Sequence, residues 1–219
     1  MNETARNRWA KDVANYDVPH HRLKQVGLVI KEISPSHYVD MGCAKGTLRT
    51  LTPGIKYTGC DFIQQDNADF EFYKCDFNSQ PFPAELQNIE LFSCSGLLEY
   101  IEDVPAFLKQ LNERLRPSGK LVLTYFNMNH ISRIIKMLKG GSFPVHPDWR
   151  GFYSCKDLQA QLSVAGFRIT RIIPTNHSMT VSKAVGNTLE EKIQLHDYKF
   201  YSYLLAHQFI FVCENKNAK

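Results

Sequence analysis

Short apolar runs alternate with amphipathic stretches along most of this 219-residue chain. Residues 38–41, 56–60, 70–75, 89–94 and 121–126 each read as a strand. Leu23, Val26, Ile30 and Ile33 share one face of a helix predicted over His21–Ile33, and Val104, Phe107, Leu108, Leu111 and Leu115 share one face of another. Strands and helices taken in turn make βαβ units, and repeated βαβ units make a mostly parallel sheet. The punctuation agrees. Ser34-Pro35-Ser36 stops the first helix, because proline cannot continue a helix and restricts the residue before it. Asp103 is placed to cap the second, with Pro105 in the first turn, where a missing N–H does no harm. Arg114 and Arg116 fall in its last turn and Pro117-Ser118-Gly119 ends it. Further on, the pattern predicts helices over Ile131–Leu138 and 156–165, a strand over 167–173 and a final strand over 208–213. A helical insert is expected over 174–207, its helix over 189–206. Residues 1–33 read as a helical extension of one domain spanning 1–219.

The first strand runs into Val39-Asp40-Met41-Gly42-Cys43-Ala44-Lys45-Gly46, and a short helix is predicted near Thr47–Leu51. A strand that turns through small residues into a helix lets a ligand approach the backbone closely. Ligands of open α/β sheets sit at the carboxyl ends of the strands. A tight turn with no ligand would look similar, so the acids that follow carry the weight. Asp61 ends the second strand about 20 positions after Asp40, where a carboxylate accepts hydrogen bonds from ribose hydroxyls. Asp76 ends the third and precedes Phe77, a pair suited to an exocyclic amine and a purine face. Each acid singly reads as a strand-end cap; three in register at successive strand ends point to a nucleotide. The glycine spacing is G-x-x-x-G, not the G-x-G-x-x-G of a dinucleotide dehydrogenase.

On these residues the chain resembles the class I methyltransferases that use S-adenosylmethionine (SAM), particularly the small-molecule type. VDMGCAKGTL resembles the family's first motif, YTGCDF and YKCDF its ribose and adenine segments, and FSCSGLLEYIED its fourth-strand motif. RLRPSGKLVLTY and GFYSCKDLQAQLSVAGFRI are similar to its later segments, so the likeness covers residues 21–173. It implies a Rossmann-like α/β fold: a seven-stranded, mostly parallel sheet with helices on both faces and an antiparallel last strand. It implies methyl transfer from SAM, leaving S-adenosylhomocysteine (SAH). It places Asp40, Gly42, Cys43, Ala44 and Gly46 around the methionine part, Asp61 and Phe62 at the ribose, Asp76 and Phe77 at the adenine, and Cys94 and Ser95 along the cofactor. Ala44 stands where the family has its middle glycine, a replacement that suits a turn whose φ is negative.

An acceptor hydroxyl or amine would also need a base, and histidine is the usual choice near neutral pH. His130 follows the fifth strand and His146 lies in FPVHPDWRGFY. Either is a candidate base, or else a histidine that braces its loop. Tyr16, Trp149 and Tyr153 are expected to line the acceptor pocket. Tyr198, Phe200, Tyr201 and Tyr203, with Trp9 and Tyr16, form either an aromatic lid or the core of a packed helix. The remaining histidines and the six cysteines show no metal-ligand spacing, so no metal is expected and the thiols are expected reduced and buried.

A chain 43% hydrophobic and 22% charged suits one α/β domain. A net charge of +4 without a run of five Lys/Arg is no nucleic-acid footprint. No apolar stretch approaches the ~20 residues of a membrane helix, and the polar N-terminus lacks a signal peptide's apolar core, so a cytoplasmic location is expected. Ser93-Cys94-Ser95-Gly96 stands where methyltransferases of nucleobase amines carry Asn/Asp-Pro-Pro-aromatic. The resulting expectation is O- or N-methylation of a small-molecule acceptor in secondary or sugar metabolism, by a monomer or homodimer. The alternatives are an RNA or protein methyltransferase and a non-catalytic SAM-binding accessory protein that acts with a partner enzyme.

Overall fold

The computed structural model describes residues 19–65, 68–141, 148–177 and 202–216. Seven strands, β1 (His37–Met41), β2 (Lys56–Asp61), β3 (Glu71–Lys74), β4 (Ile89–Ser95), β5 (Leu115–Phe126), β6 (Phe167–His177) and β7 (Ala206–Asn215), form one sheet in the order β3-β2-β1-β4-β5-β7-β6. β1 to β5 pair in parallel, and β7 runs antiparallel to both β5 and β6. The order reverses at β1: the chain steps outward through β2 and β3, then crosses to β4 on the other side. Loops leaving adjoining strand ends in opposite directions open a crevice there. The expected Rossmann-like sheet with its antiparallel last strand is the one observed.

Side chains alternate between two buried clusters, as the period of a strand demands. Val39, Met41, Phe92, Leu121, Leu123, Phe209 and Phe211 face α2 (Val104–Arg114) and α4 (Cys155–Val164), whereas Tyr38, Leu91, Val122, Ile210 and Val212 face α1 (His21–Ile33). His20 caps α1, its Nδ1 accepting from the Leu23 amide at 3.4 Å. Asp103 caps α2 through the Ala106 amide at 2.9 Å. Ser154 and Asp157 form a reciprocal capping box on α4. Two further helices, α3 (Ile131–Leu138) and α5 (Ser202–Leu205), flank the end of β5 and the start of β7. All six cysteines are free and buried.

The short helix expected near Thr47–Leu51 is a 3-10 helix at those bounds, and three other local expectations are corrected. Pro53 keeps Thr52 out of the helical region, and Gly54 follows at φ +84°. α2 ends at Arg114, before Pro117. Leu115 already lies opposite Ile89, and the next pair is Leu91 with Lys120, so 116–119 bulge out of the ladder. Arg116 therefore sits on a strand, paired to Glu90 at 2.8 Å, and not on a helix end. β6 runs to His177, so residues 174–177 are strand and not insert. Pro174 is tolerated because β6 is an edge strand. β7 begins at Ala206, two residues early, and the described helix before it is only Ser202–Leu205. The rest of the predicted insert helix lies outside the described residues, as do Trp9, Tyr16, His146, Tyr198, Phe200 and Tyr201.

Candidate functional site

At the carboxyl ends of β1, β2 and β4 the cleft has two compartments that share Gly42, Ala44, Gly96 and Tyr100. The turn after β1 holds them apart. Gly42, Ala44 and Gly46 take φ of +74°, +49° and +70°, so the turn is left-handed at alternate residues. Ala44 is therefore not at the negative φ that would suit it. Its Cβ crowds the backbone there, at a cost of about 1 kcal/mol. The turn is pinned by backbone bonds from Gly42 and Cys43 to the Cys60 carbonyl, 2.8 and 3.3 Å, and by the Ala44 amide to Asp61 Oδ2, 2.8 Å. Gly42 is needed for space as well as for φ: a Cβ there would come within 3.0 Å of Leu97.

The first compartment is lined by Asp61, Phe62, Ile63, Asp76, Phe77 and Asn78 on one side and by Gly96, Leu97, Tyr100 and Ile101 on the other. Asp61 is 5% exposed, and its oxygens accept from the amides of Ala44 and Ile63 at 2.8 and 3.0 Å. Burial raises its carboxyl above the ordinary range, and the amides of Ile63, Ala44 and Phe62 pull it back. Each oxygen keeps a further lone pair for a ligand hydroxyl. Asp76 Oδ1 accepts from the Asn78 amide, and Phe77 is held edge-on between Phe82 and Phe107. An acceptor at the end of each of two strands beside a fixed aromatic ring suits a ribose and a purine.

The second compartment is lined by His20, Arg22, Asp40, Gly42, Cys43, Ser95, Glu99, Phe126, Trp149 and Gln208, among others. Asp40 is 3% exposed and accepts from the Tyr57 hydroxyl at 3.2 Å. Burial pushes its carboxyl up to about 7, against hydrogen bonds from Ser93 and Tyr57 that pull it down, while Asp61 adds to the rise. Glu99, 4% exposed, is likewise raised by burial, with Arg22 opposing. Arg22 packs over Gly96, where any Cβ would strike the guanidinium at 2.7 Å, and it bonds the His20 ring. Trp149 stands edge-on to Phe126 at 4.9 Å.

Of the residues read from sequence, Asp40, Gly42, Cys43, Ala44, Asp61, Phe62, Asp76, Phe77, Ser95 and Trp149 line this cleft. Gly46 does not; it turns beneath the loop, against the Phe70 ring. Cys94 does not, because strand alternation sends its side chain into the core below α2 and α4. Tyr153 packs on that same core, its amide donating to the Tyr125 hydroxyl at 2.8 Å. His130 is fully buried as the cap of α3, its Nδ1 bonded to Ser132 and its ring stacked on His207 at 3.8 Å; it does not reach the cleft. Sequence reading missed His20, Arg22, Glu99, Tyr100, Phe126 and Gln208. The one signal for them was position: Glu99 and Phe126 follow β4 and end β5, at the crevice side of the sheet.

A family model described as a methyltransferase domain matches residues 8–172. Among solved structures the chain is similar to a TehB-like SAM-dependent methyltransferase from Corynebacterium glutamicum, at 14% identity and TM-score 0.61 over 98% of this chain and 97% of that one. It is similar to a SAM-dependent methyltransferase from Thermotoga maritima, described as a possible histamine N-methyltransferase, at 16% identity and TM-score 0.62 over 90% and 91%. It is also similar to a chain of the Haloferax volcanii complex between the Trm112 methyltransferase activator and a methyltransferase, at 15% identity and TM-score 0.62 over 95% of each. No curated protein matches the sequence. Among the described residues, no helix is long and apolar enough to cross a membrane.

Proposed function

This chain belongs to the class I SAM-dependent methyltransferases, and we propose that it methylates an oxygen or nitrogen of a small-molecule acceptor. The observation that carries the reading is the pair of joined compartments, one with two strand-end carboxylates and a fixed phenyl ring, the other with buried polar groups and an aromatic wall. The residues fit SAM. Asp61 and Asp76 offer acceptors to a nucleoside, Gly42 and Gly96 line both compartments with backbone alone, and the buried Ser95 hydroxyl has no hydrogen-bond partner among the described residues. When bound, SAM supplies an electrophilic methyl on a sulfonium. The chain's own part is to hold the acceptor in line and to exclude water; positioning of this kind can lower a barrier by roughly 7–11 kcal/mol. Phe126 and Trp149 do the excluding at the acceptor end. The Thermotoga maritima neighbour, described as a possible histamine N-methyltransferase, agrees with a small acceptor.

The neighbour solved with an activator supports a second reading, in which turnover needs a partner chain. Methyl-labelled SAM, incubated with the protein and a fractionated cell extract, separates the readings. Label in the small-molecule fraction is the expected result. Label in RNA or protein contradicts it, and label that appears only after a co-purifying chain is added favours the second reading.

A further inference from the structure

The acceptor compartment holds polar atoms that the fold itself does not use. Glu99 Oε1 accepts from the Phe126 amide at 3.2 Å, but its buried Oε2 has no hydrogen-bond partner among the described residues. The buried Gln208 Oε1 is in the same position. Both are tied to Phe126, Glu99 through the Phe126 amide and Gln208 as its partner in the β5–β7 ladder. Both line the same cleft beside the rings of Phe126, Trp149 and Tyr100. A buried carboxylate with an open oxygen is costly unless a donor or a cation meets it. Arg22 and Arg133 are nearby positive charges, but Arg22 is turned to His20 and Gly96, Arg133 lies over the Phe126 ring at 3.5 Å and bonds the Asn127 carbonyl, and no ion pair among the described residues joins either to Glu99.

Building on the methyltransferase reading, we infer that the acceptor is an amine, its nitrogen held by Glu99 Oε2 and Gln208 Oε1 and its carbon skeleton laid against Phe126 and Trp149. An ammonium group brings several N–H donors, which matches two open acceptors better than a single hydroxyl does. Aromatic faces around it add cation–π attraction. Glu99 takes one proton from the ammonium, which frees the nitrogen lone pair. That pair forms the new N–CH3 bond as the C–S bond breaks, its electrons staying on sulfur. The proton leaves Glu99 for solvent when the methylated amine departs. A carboxylate raised by burial is suited to that exchange.

The test is calorimetric titration of the SAH-loaded protein with phenethylamine and cyclohexylamine, each beside the alcohol of the same skeleton. Each amine is expected to bind at least about tenfold more tightly than its alcohol. Glu99→Gln is expected to erase that preference while keeping SAH binding and unfolding no earlier than the parent, and Gln208→Met to reduce it. Amine and alcohol binding alike to the intact protein, or Glu99→Gln binding amines as the parent does, overturns the inference alone. Failure of the parent to bind SAH overturns the cofactor reading, and the inference with it.

Discussion

The first compartment draws its polar wall from the ends of β2 and β3 and the loops after them, residues 61–63 and 76–78, whereas the second collects His20, Asp40, Glu99, Phe126, Trp149 and Gln208 from six separated places. The first is fixed by backbone amides that donate to its carboxylates: Ala44 and Ile63 to Asp61, Asn78 to Asp76. The second depends on tertiary packing and leaves several of its buried polar atoms without partners among the described residues. Carboxylates at strand ends complete the first wall, whereas the second keeps its hydrogen-bonding capacity open.

Asp40 lines the second compartment, beside the turn that both compartments share, and should show the largest effect. Its carboxyl titrates near 7 when folded against 3.8 ordinarily, so the folded state holds the proton more tightly. Stability must then fall as pH rises from about 4 to about 7, by up to about 4 kcal/mol, and stay low above that. Asp40→Asn is expected to remove this slope in denaturant titrations at stepped pH; an unchanged slope would place the cost elsewhere. His130 works in the opposite sense. Its ring is lowered to about 4 by burial, then by His207 and Arg133, so stability is lost as pH falls from 6.5 towards 4. His130→Asn keeps a capping side chain and should recover about 2 kcal/mol at pH 4.5. It should also leave the single-turnover methyl-transfer rate unchanged, and a slowed chemical step would return His130 to the site.

Two smaller effects sharpen the division. Trp149→Ala should raise the acceptor KM about tenfold and leave the SAH affinity within about twofold, by kinetics and calorimetry on one preparation. A matching loss of SAH affinity would mean that the compartments are not separable. Ala44→Gly relieves a left-handed alanine and should add about 1 kcal/mol to stability in urea unfolding. A loss of stability would mean that the turn is not strained.

The same division governs what the sequence discloses. Periodicity placed all seven strands, and Asp61 and Asp76 pointed to the polar wall of the first compartment, because strand ends and their acids are local properties of the chain. Ala44's positive φ was not legible, since no rule of local preference puts alanine there. Cys94 was misjudged by one step of strand alternation, which separates it from Ser95 in the cleft. His130 was plausible by type and place, yet a helix cap and a stacking partner from β7 hold it in the interior. Glu99 and Gln208 are more than 100 residues apart and carry no motif spacing; only the β5–β7 pairing brings them to one wall.

The central claim is that the cleft at the ends of β1, β2 and β4 is a SAM site centred on Asp61. Calorimetric titration with SAH, parent beside Asp61→Ala, tests it most directly. The account predicts binding in the micromolar range by the parent and a loss of about a hundredfold or more in the variant, because charge-assisted hydrogen bonds to the ribose vanish with the carboxylate. No binding by the folded parent, or equal binding by both proteins, would contradict it.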